Sequence, residues 1–184
     1  MKKLVYLISP NKIDSKFYTT LDRVLAFKNV KFFQLRLKNT NVNSILKIAN
    51  KIKKITKKHK VNFIINDNYI LALKVNADGC HLGQLDGPIM IARKKLKNKI
   101  LGVTCHGSKS LAKNAINNKA DYIAFGSFFK SRLKPKTKKA NLKILKWAKK
   151  EFTKPIVVIG GINNFNYRKL IKAGAKYIAI SSYI

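Results

Sequence analysis

Two aspartates, Asp67 and Asp86, are placed where they could do chemistry. They belong to the stretch Phe63–Asp86, FIINDNYILALKVNADGCHLGQLD. Two short apolar runs, Asn62–Ile65 and Gly79–Leu82, read as strands, and each leads into a polar cluster. Asn66, Asp67 and Asn68 follow the first; Gln84 and Asp86 follow the second. The chain has only 7 acidic residues against 40 Lys and Arg, so a pair of acids just past consecutive strands stands out. In α/β folds with parallel strands, ligands bind at that carboxyl edge. Two carboxylates converging there can hold a hard divalent cation such as Mg²⁺. Each also has a plainer reading: Asp67 as the cap of the following helix, and Asp86 as the opening of a turn before Gly87-Pro88. The neighbouring polar residues favour the chemical reading of the pair.

Those neighbours also lie at predicted strand ends. Lys31–Lys38, KFFQLRLK, alternates: Phe33, Leu35 and Leu37 face one way, and Gln34, Arg36 and Lys38 the other. In a parallel barrel the polar face points inward, towards a ligand. Asn66, His81, Thr104 and His106 occupy the ends of later strands, and Ser131 and Lys134 lie in a long basic loop, Gly126–Ala140. Gly160-Gly161 and Ser181-Ser182 end the last two strands, where barrels commonly receive a phosphate on backbone N–H groups. Arg36, Lys38 and Lys134 could neutralise a diphosphate bridged by Mg²⁺ to the two aspartates. Separate diphosphate and monophosphate sites imply two phosphorylated small-molecule substrates. Cys80-His81 and Cys105-His106 might hold zinc, but adjacent strand residues point to opposite faces, and both cysteines read as packing against helices.

The elements that must position these residues form a regular series. Leu4–Ile8, Lys31–Lys38, Asn62–Ile65, Gly79–Leu82, Ile100–Thr104, Tyr122–Phe125, Ile156–Ile159 and Tyr177–Ser181 read as strands. Amphipathic helices lie between them, as in Asn43–His59, where Ile45, Ile48, Ile52 and Ile55 share one face. The echo NADG, KADYIA and GAKYIA at three helix-to-strand joints supports one repeated βα unit. The expected fold is a single (β/α)8 TIM barrel over residues 1–184, with the final helix missing.

Composition narrows the function classes. No apolar run approaches the roughly 20 residues a membrane span needs, and Leu4–Ile8 is too short for a secretory signal. Cys80 and Cys105 give no disulfide framework, so a reducing cytoplasm is the expected location. The net charge of +33 comes largely from 35 lysines spread over the chain, which favours anionic ligands without a motif for specific nucleic-acid recognition.

The set QLRLK, FIINDN, ADGCHLGQLD, LGVTCH, DYIAFGSFF, PIVVIGGI and AGAKYIAISS resembles the thiamine-phosphate synthase family along nearly the whole chain. The resemblance implies a TIM-barrel transferase joining a hydroxymethylpyrimidine diphosphate to a thiazole phosphate, with Mg²⁺ assisting departure of pyrophosphate. By motif, Gln34, Arg36, Lys38, Asn66, Thr104 and Lys134 would hold the pyrimidine diphosphate, with Arg36, Lys38 and Lys134 catalytic. Asp67 and Asp86 would hold Mg²⁺. Ser131, Leu133, Gly161, Ser181 and Ser182 would line the thiazole phosphate site. The chain departs from the pattern at Ser131-Arg132-Leu133-Lys134, where the family has a Thr-x-Thr-Lys-like run; Leu133 offers only its backbone. A missing final helix would leave a barrel flank for another surface to cover, as in a homo-oligomer. Two other readings stand beside this one: a thiazole tautomerase of the same barrel family with an acid/base His106, and a non-catalytic basic barrel that binds RNA or acidic partners.

Overall fold

The computed structural model describes residues 4–129 and 140–181. Its strands are β1 (Val5–Ile8), β2 (Val30–Leu35), β3 (Asn62–Asn66), β4 (Gly79–Leu82), β5 (Ile100–His106), β6 (Tyr122–Gly126), β7 (Ile156–Ile159) and β8 (Tyr177–Ile180). Between them run α1 (Ser15–Ala26), α2 (Val42–Lys58), α3 (Tyr69–Lys74), α4 (Ile89–Leu96), α5 (Lys109–Asn117), α6 (Leu142–Glu151) and α7 (Tyr167–Ala173). Every strand pairs in parallel with its neighbour in sequence, and β8 pairs back onto β1, so eight strands close a barrel.

Local sequence explains how each unit starts and stops. The side chains of Asp14, Asn41, Asn68, Ser108 and Asn141 each accept a hydrogen bond from the N–H three residues on, at 2.8 to 3.3 Å. Caps of this kind are worth about 1 kcal/mol each. At the other end Lys60, Asn76, Lys119 and Gly174 take positive φ. The residue after each, Val61, Ala77, Ala120 or Ala175, is buried and returns its N–H to the helix at 2.8 to 3.1 Å. This is a Schellman ending, which satisfies orphan carbonyls and turns the chain into the next strand. The NADG, KADY and GAKY echo is therefore the sequence form of a recurring helix stop.

Period-two alternation then sorts the strand residues between two cores. Leu7, Phe33, Phe63, Cys80, Val103, Cys105, Ile123 and Val158 face the helices. Tyr6, Phe32, Ile64, Tyr122, Val157 and Tyr177 fill the barrel, as closed barrels of this size require. The ring centroids of Phe32 lie 5.1 to 5.5 Å from those of Tyr6, Tyr122 and Tyr177, so an aromatic cluster plugs the interior. The orientation expected for strand two holds: Gln34 is inside and Phe33 and Leu35 are outside. Its length does not. β2 stops at Leu35, because the Arg36 N–H bonds sideways to Ser9 Oγ at 2.9 Å and Asn39 takes a φ of 57°. Conversely, β5 runs past Thr104 to His106, with an irregularity between them.

Gly102 on β5 makes room for an interior ring. A Cβ there would lie 1.9 Å from Cζ of Tyr122, so the tyrosine ring occupies the space that the glycine leaves. Gly102→Ala should destabilise the fold by about 3 kcal/mol through overpacking, read as a lower urea midpoint at unchanged slope. An unchanged midpoint would mean that the Tyr122 ring is free to move aside.

Candidate active site

With 7 acids in the chain, each can be accounted for. Asp14 caps α1. Asp22 pairs with Lys58 and His59. Asp78 accepts the Phe63 N–H at 2.7 Å. Asp121 accepts from Leu101 N–H and Arg93, and Glu151 meets Lys113. These five fasten helices and strand starts. Asp67 and Asp86 remain, at the ends of β3 and β4.

The structure brings these two together. Asp67 does not cap α3, since Asn68 does so through Leu71 N–H at 2.8 Å. Asp67 instead takes a φ of 64°, and its N–H bonds to the His81 carbonyl at 2.8 Å. Asp and Asn enter the left-handed region at less cost than most residues, and strain of this type concentrates at functional sites. Asp86 does shape a turn, accepting the Gly83 N–H at 2.6 Å, and it also reaches the Asp67 carboxyl. Burial, then the hydrogen bond and negative charge of Asp86, push the Asp67 carboxyl up to about 6, with Lys38 and Arg36 pulling against them. Among the described residues no group of three or more His, Cys, Asp or Glu could hold a metal. A site of two carboxylates, leaving other positions to water and phosphate oxygens, fits Mg²⁺.

The cationic and polar residues surround this pair. Arg36 and Lys38 lie past the end of β2, close enough to act on Asp67, and Arg36 Nη1 donates to Asn11 Oδ1 at 3.3 Å. Asn66 ends β3 opposite His81. Gln34 is buried and donates through Nε2 to Tyr6 Oη at 2.9 Å. Thr104 faces inward from β5, with its carbonyl accepting from Gln84 Nε2. Past the end of β7, Gly160 and Gly161 take φ of 104° and 61°, a left-handed pair that glycine adopts freely. Gly160 also has no room for a side chain, since a Cβ would sit 2.3 Å from that of Ser127. Ile159 of β7 pairs with Ala179 of β8, so Gly161 and Ser181, two residues further along each, lie at the same rim. Ser131, Leu133, Lys134 and Ser182 lie outside the described residues.

Comparison with known proteins decides the family. A family model described as thiamine monophosphate synthase matches residues 5–184. The chain belongs to the thiamine monophosphate synthase family. The thiamine-phosphate synthase of Pelagibacter ubique is 57% identical over 185 residues, covering 100% of this chain and 89% of that protein. That of Erythrobacter litoralis is 40% identical over 185 residues, covering 98% and 87%. In three dimensions, thiamine phosphate pyrophosphorylase from Pyrococcus furiosus superposes with a TM-score of 0.87 at 28% identity, over 98% of this chain and 86% of that one. The chain is a transferase of this family, on a TIM barrel.

Several side chains of this synthase-family barrel escape a motif reading. Ser9 is buried and holds the Arg36 N–H. Tyr6, Tyr122 and His81 form a chain of hydrogen bonds inside the barrel. Burial lowers the His81 pKa to about 4, against the opposing charge of Asp86, so the ring is uncharged at neutral pH. Period-two alternation in LVYLI and GCHL does put Tyr6 and His81 inside; nothing in the sequence says that they meet. His106 is exposed at the end of β5, with a φ of 51°.

The raised Asp67 pKa sets a pH dependence. Between about 4 and about 6 the unfolded chain gives up this proton and the folded one keeps it. The metal-free protein therefore loses stability as pH rises through that window. His81 works in the opposite sense, costing stability as pH falls from 6.5 towards 4, so the test is a difference. Asp67→Asn should gain on wild type as pH rises, levelling above about 6 at on the order of 1 kcal/mol after solvent screening. Thermal melts in chelator at pH 4.5 and 7.5 read it, and a pH-independent difference would exclude the coupling.

Proposed function

We propose that the chain makes thiamine phosphate by Mg²⁺-dependent coupling of 4-amino-2-methyl-5-(diphosphooxymethyl)pyrimidine with a thiazole or carboxythiazole phosphate, releasing pyrophosphate and, from the carboxythiazole, carbon dioxide. The observation that carries this reading is the meeting of Asp67 and Asp86 beside Arg36 and Lys38 at the strand-end edge of a synthase-family barrel. A phosphate-only site has no use for paired carboxylates. A diphosphate that must leave needs positive charge focused on its oxygens as the C–O bond breaks.

Asp67 and Asp86 would hold Mg²⁺, which supplies positive charge at the departing diphosphate. Gln34, Asn66 and Thr104 would orient the pyrimidine diphosphate. Arg36, Lys38 and, from the loop outside the described residues, Lys134 would take up the charge growing on the leaving oxygen. The C–O bond breaks with its electron pair going to pyrophosphate, leaving a cation on the pyrimidine methylene carbon. The lone pair of the thiazole nitrogen then closes the C–N bond. Ser131, the Leu133 backbone, Gly161, Ser181 and Ser182 would hold the thiazole phosphate so that this nitrogen faces the carbon. Water must be kept from the cation, and the aromatic plug of Tyr6, Phe32, Tyr122 and Tyr177 closes the interior beneath it.

The test is to supply both substrates with Mg²⁺ and follow thiamine phosphate and pyrophosphate together. Equal amounts of the two are expected, abolished by EDTA. Asp86→Ala and Arg36→Ala should each lower kcat on the order of 100-fold, with the barrel intact by circular dichroism. Product formation undiminished in EDTA would remove the metal from the reading, and no product at all would remove the reaction.

A further inference from the structure

Five side chains inside the barrel form a single hydrogen-bonded file. Gln34 Nε2 lies 2.9 Å from Tyr6 Oη, and Tyr6 Oη lies 2.8 Å from Tyr122 Oη. Tyr122 Oη lies 2.9 Å from His81 Nδ1, and His81 Nε2 lies 2.8 Å from Thr104 Oγ1. The file runs from β2 through β1 and β6 to β4 and β5, and its links from β1 to β6 and from β6 to β4 join strands that share no ladder. Gln34, Tyr6 and Tyr122 are almost fully buried. The placement is tightly built: Tyr122 stacks on His81 at 5.6 Å and 17° and fills the space over Gly102. Neither ring nitrogen of His81 bonds a carboxylate; both bond hydroxyls.

Proton counting leaves few arrangements. Each phenol has one proton, and an uncharged imidazole has one donor and one acceptor nitrogen. If Gln34 donates into Tyr6, the Tyr6 proton goes to Tyr122 and the Tyr122 proton to His81 Nδ1. The His81 proton then sits on Nε2 and goes to Thr104 Oγ1. Thr104 keeps its own proton for a ligand. In the reverse order the Gln34 amide is turned over, His81 carries its proton on Nδ1, and Thr104 spends its proton on the ring. It would then offer the barrel mouth lone pairs only, facing a ligand whose phosphates are acceptors themselves.

We propose that His81 is a positioning residue: as the Nε2–H tautomer, held by Tyr122 and Tyr6, it fixes the Thr104 hydroxyl as a hydrogen-bond donor to an anionic ligand. That the ligand is a diphosphate, and with it the choice between the two proton orders, rests on the proposed function. His81 transfers no proton in this role. It ties Thr104 to Gln34, so the two walls of the site are set by one continuous proton order.

The experiment uses the full chain labelled with ¹⁵N-histidine, in long-range ¹H–¹⁵N correlation spectra at neutral pH without substrate. The chain has 3 histidines, and His59→Gln and His106→Gln assign the other signals. His81 should appear as a single Nε2–H tautomer. Tyr122→Phe, which keeps the ring over Gly102, should replace it by two exchanging tautomers. The same variant should weaken binding of Mg²⁺-pyrophosphate by about 10-fold, the scale of one misdirected buried hydrogen bond. Thr104→Ser should keep wild-type affinity and Thr104→Val should lose it. An Nδ1–H tautomer or a doubly protonated ring in the wild-type protein would overturn the proposal without recourse to any variant. So would an unchanged pyrophosphate affinity in Tyr122→Phe. Thiamine phosphate synthesis by the wild-type protein is scored separately. The predicted tautomer and affinity pattern without synthesis would support the proton order and sink the substrate reading; synthesis with the Nδ1–H tautomer would do the reverse.

Discussion

The hydrogen bond between Tyr6 and Tyr122, 2.8 Å across the barrel interior, joins β1 to β6, two strands that share no ladder. Backbone pairing alone fixes each strand only to its neighbours. The phenol pair adds a cross-tie at the level where the floor of the mouth begins, and it is costly to break because both hydroxyls are buried. Around it the other interior choices follow. Position 102 must be glycine, His81 must stack on the ring, and Gln34 must turn inward to meet Tyr6. The polar rim above stands on this aromatic floor.

Above the floor, the scarcity of acids does the sorting. In a chain with 40 basic residues, Asp22, Asp121 and Glu151 pair with cations and Asp14 and Asp78 hold backbone N–H groups, so five of the seven acids serve as fasteners. Asp67 and Asp86 differ because they face each other. Their mutual repulsion is tolerated in the folded protein because Arg36 and Lys38 stand near and because one proton can be retained. A divalent cation would relieve the same repulsion without the proton.

The architecture was legible because barrels write themselves as repeats. Side-chain caps on five of the helices, left-handed stops and alternating strands recur along the chain, and each is a local signal. The cysteines also sorted correctly, since period two sends Cys80 outward and His81 inward. The end of β2 was not legible: KFFQLRLK alternates through Lys38, but the Ser9 hydroxyl, 27 residues earlier, captures the Arg36 N–H and ends the ladder. The plainer reading of Asp67 as a cap failed for a similar reason, since Asn68 performs that task equally well from one residue on. The interior file was invisible because its links are 23 to 116 residues apart, and no local pattern encodes a meeting at that range.

The fit of Tyr122 over Gly102 also constrains the order of evolutionary change. A chain drifting in composition can exchange Lys for Asn across its surface one residue at a time. At this contact it cannot start from the glycine, because any side chain at 102 collides with the ring. The ring must shrink first, and shrinking it strands the Tyr6 hydroxyl and one nitrogen of His81. The accessible path therefore begins with a loss of polar order and only later fills the space. Lineages that depart from this arrangement should have abandoned the hydroxyl before the glycine.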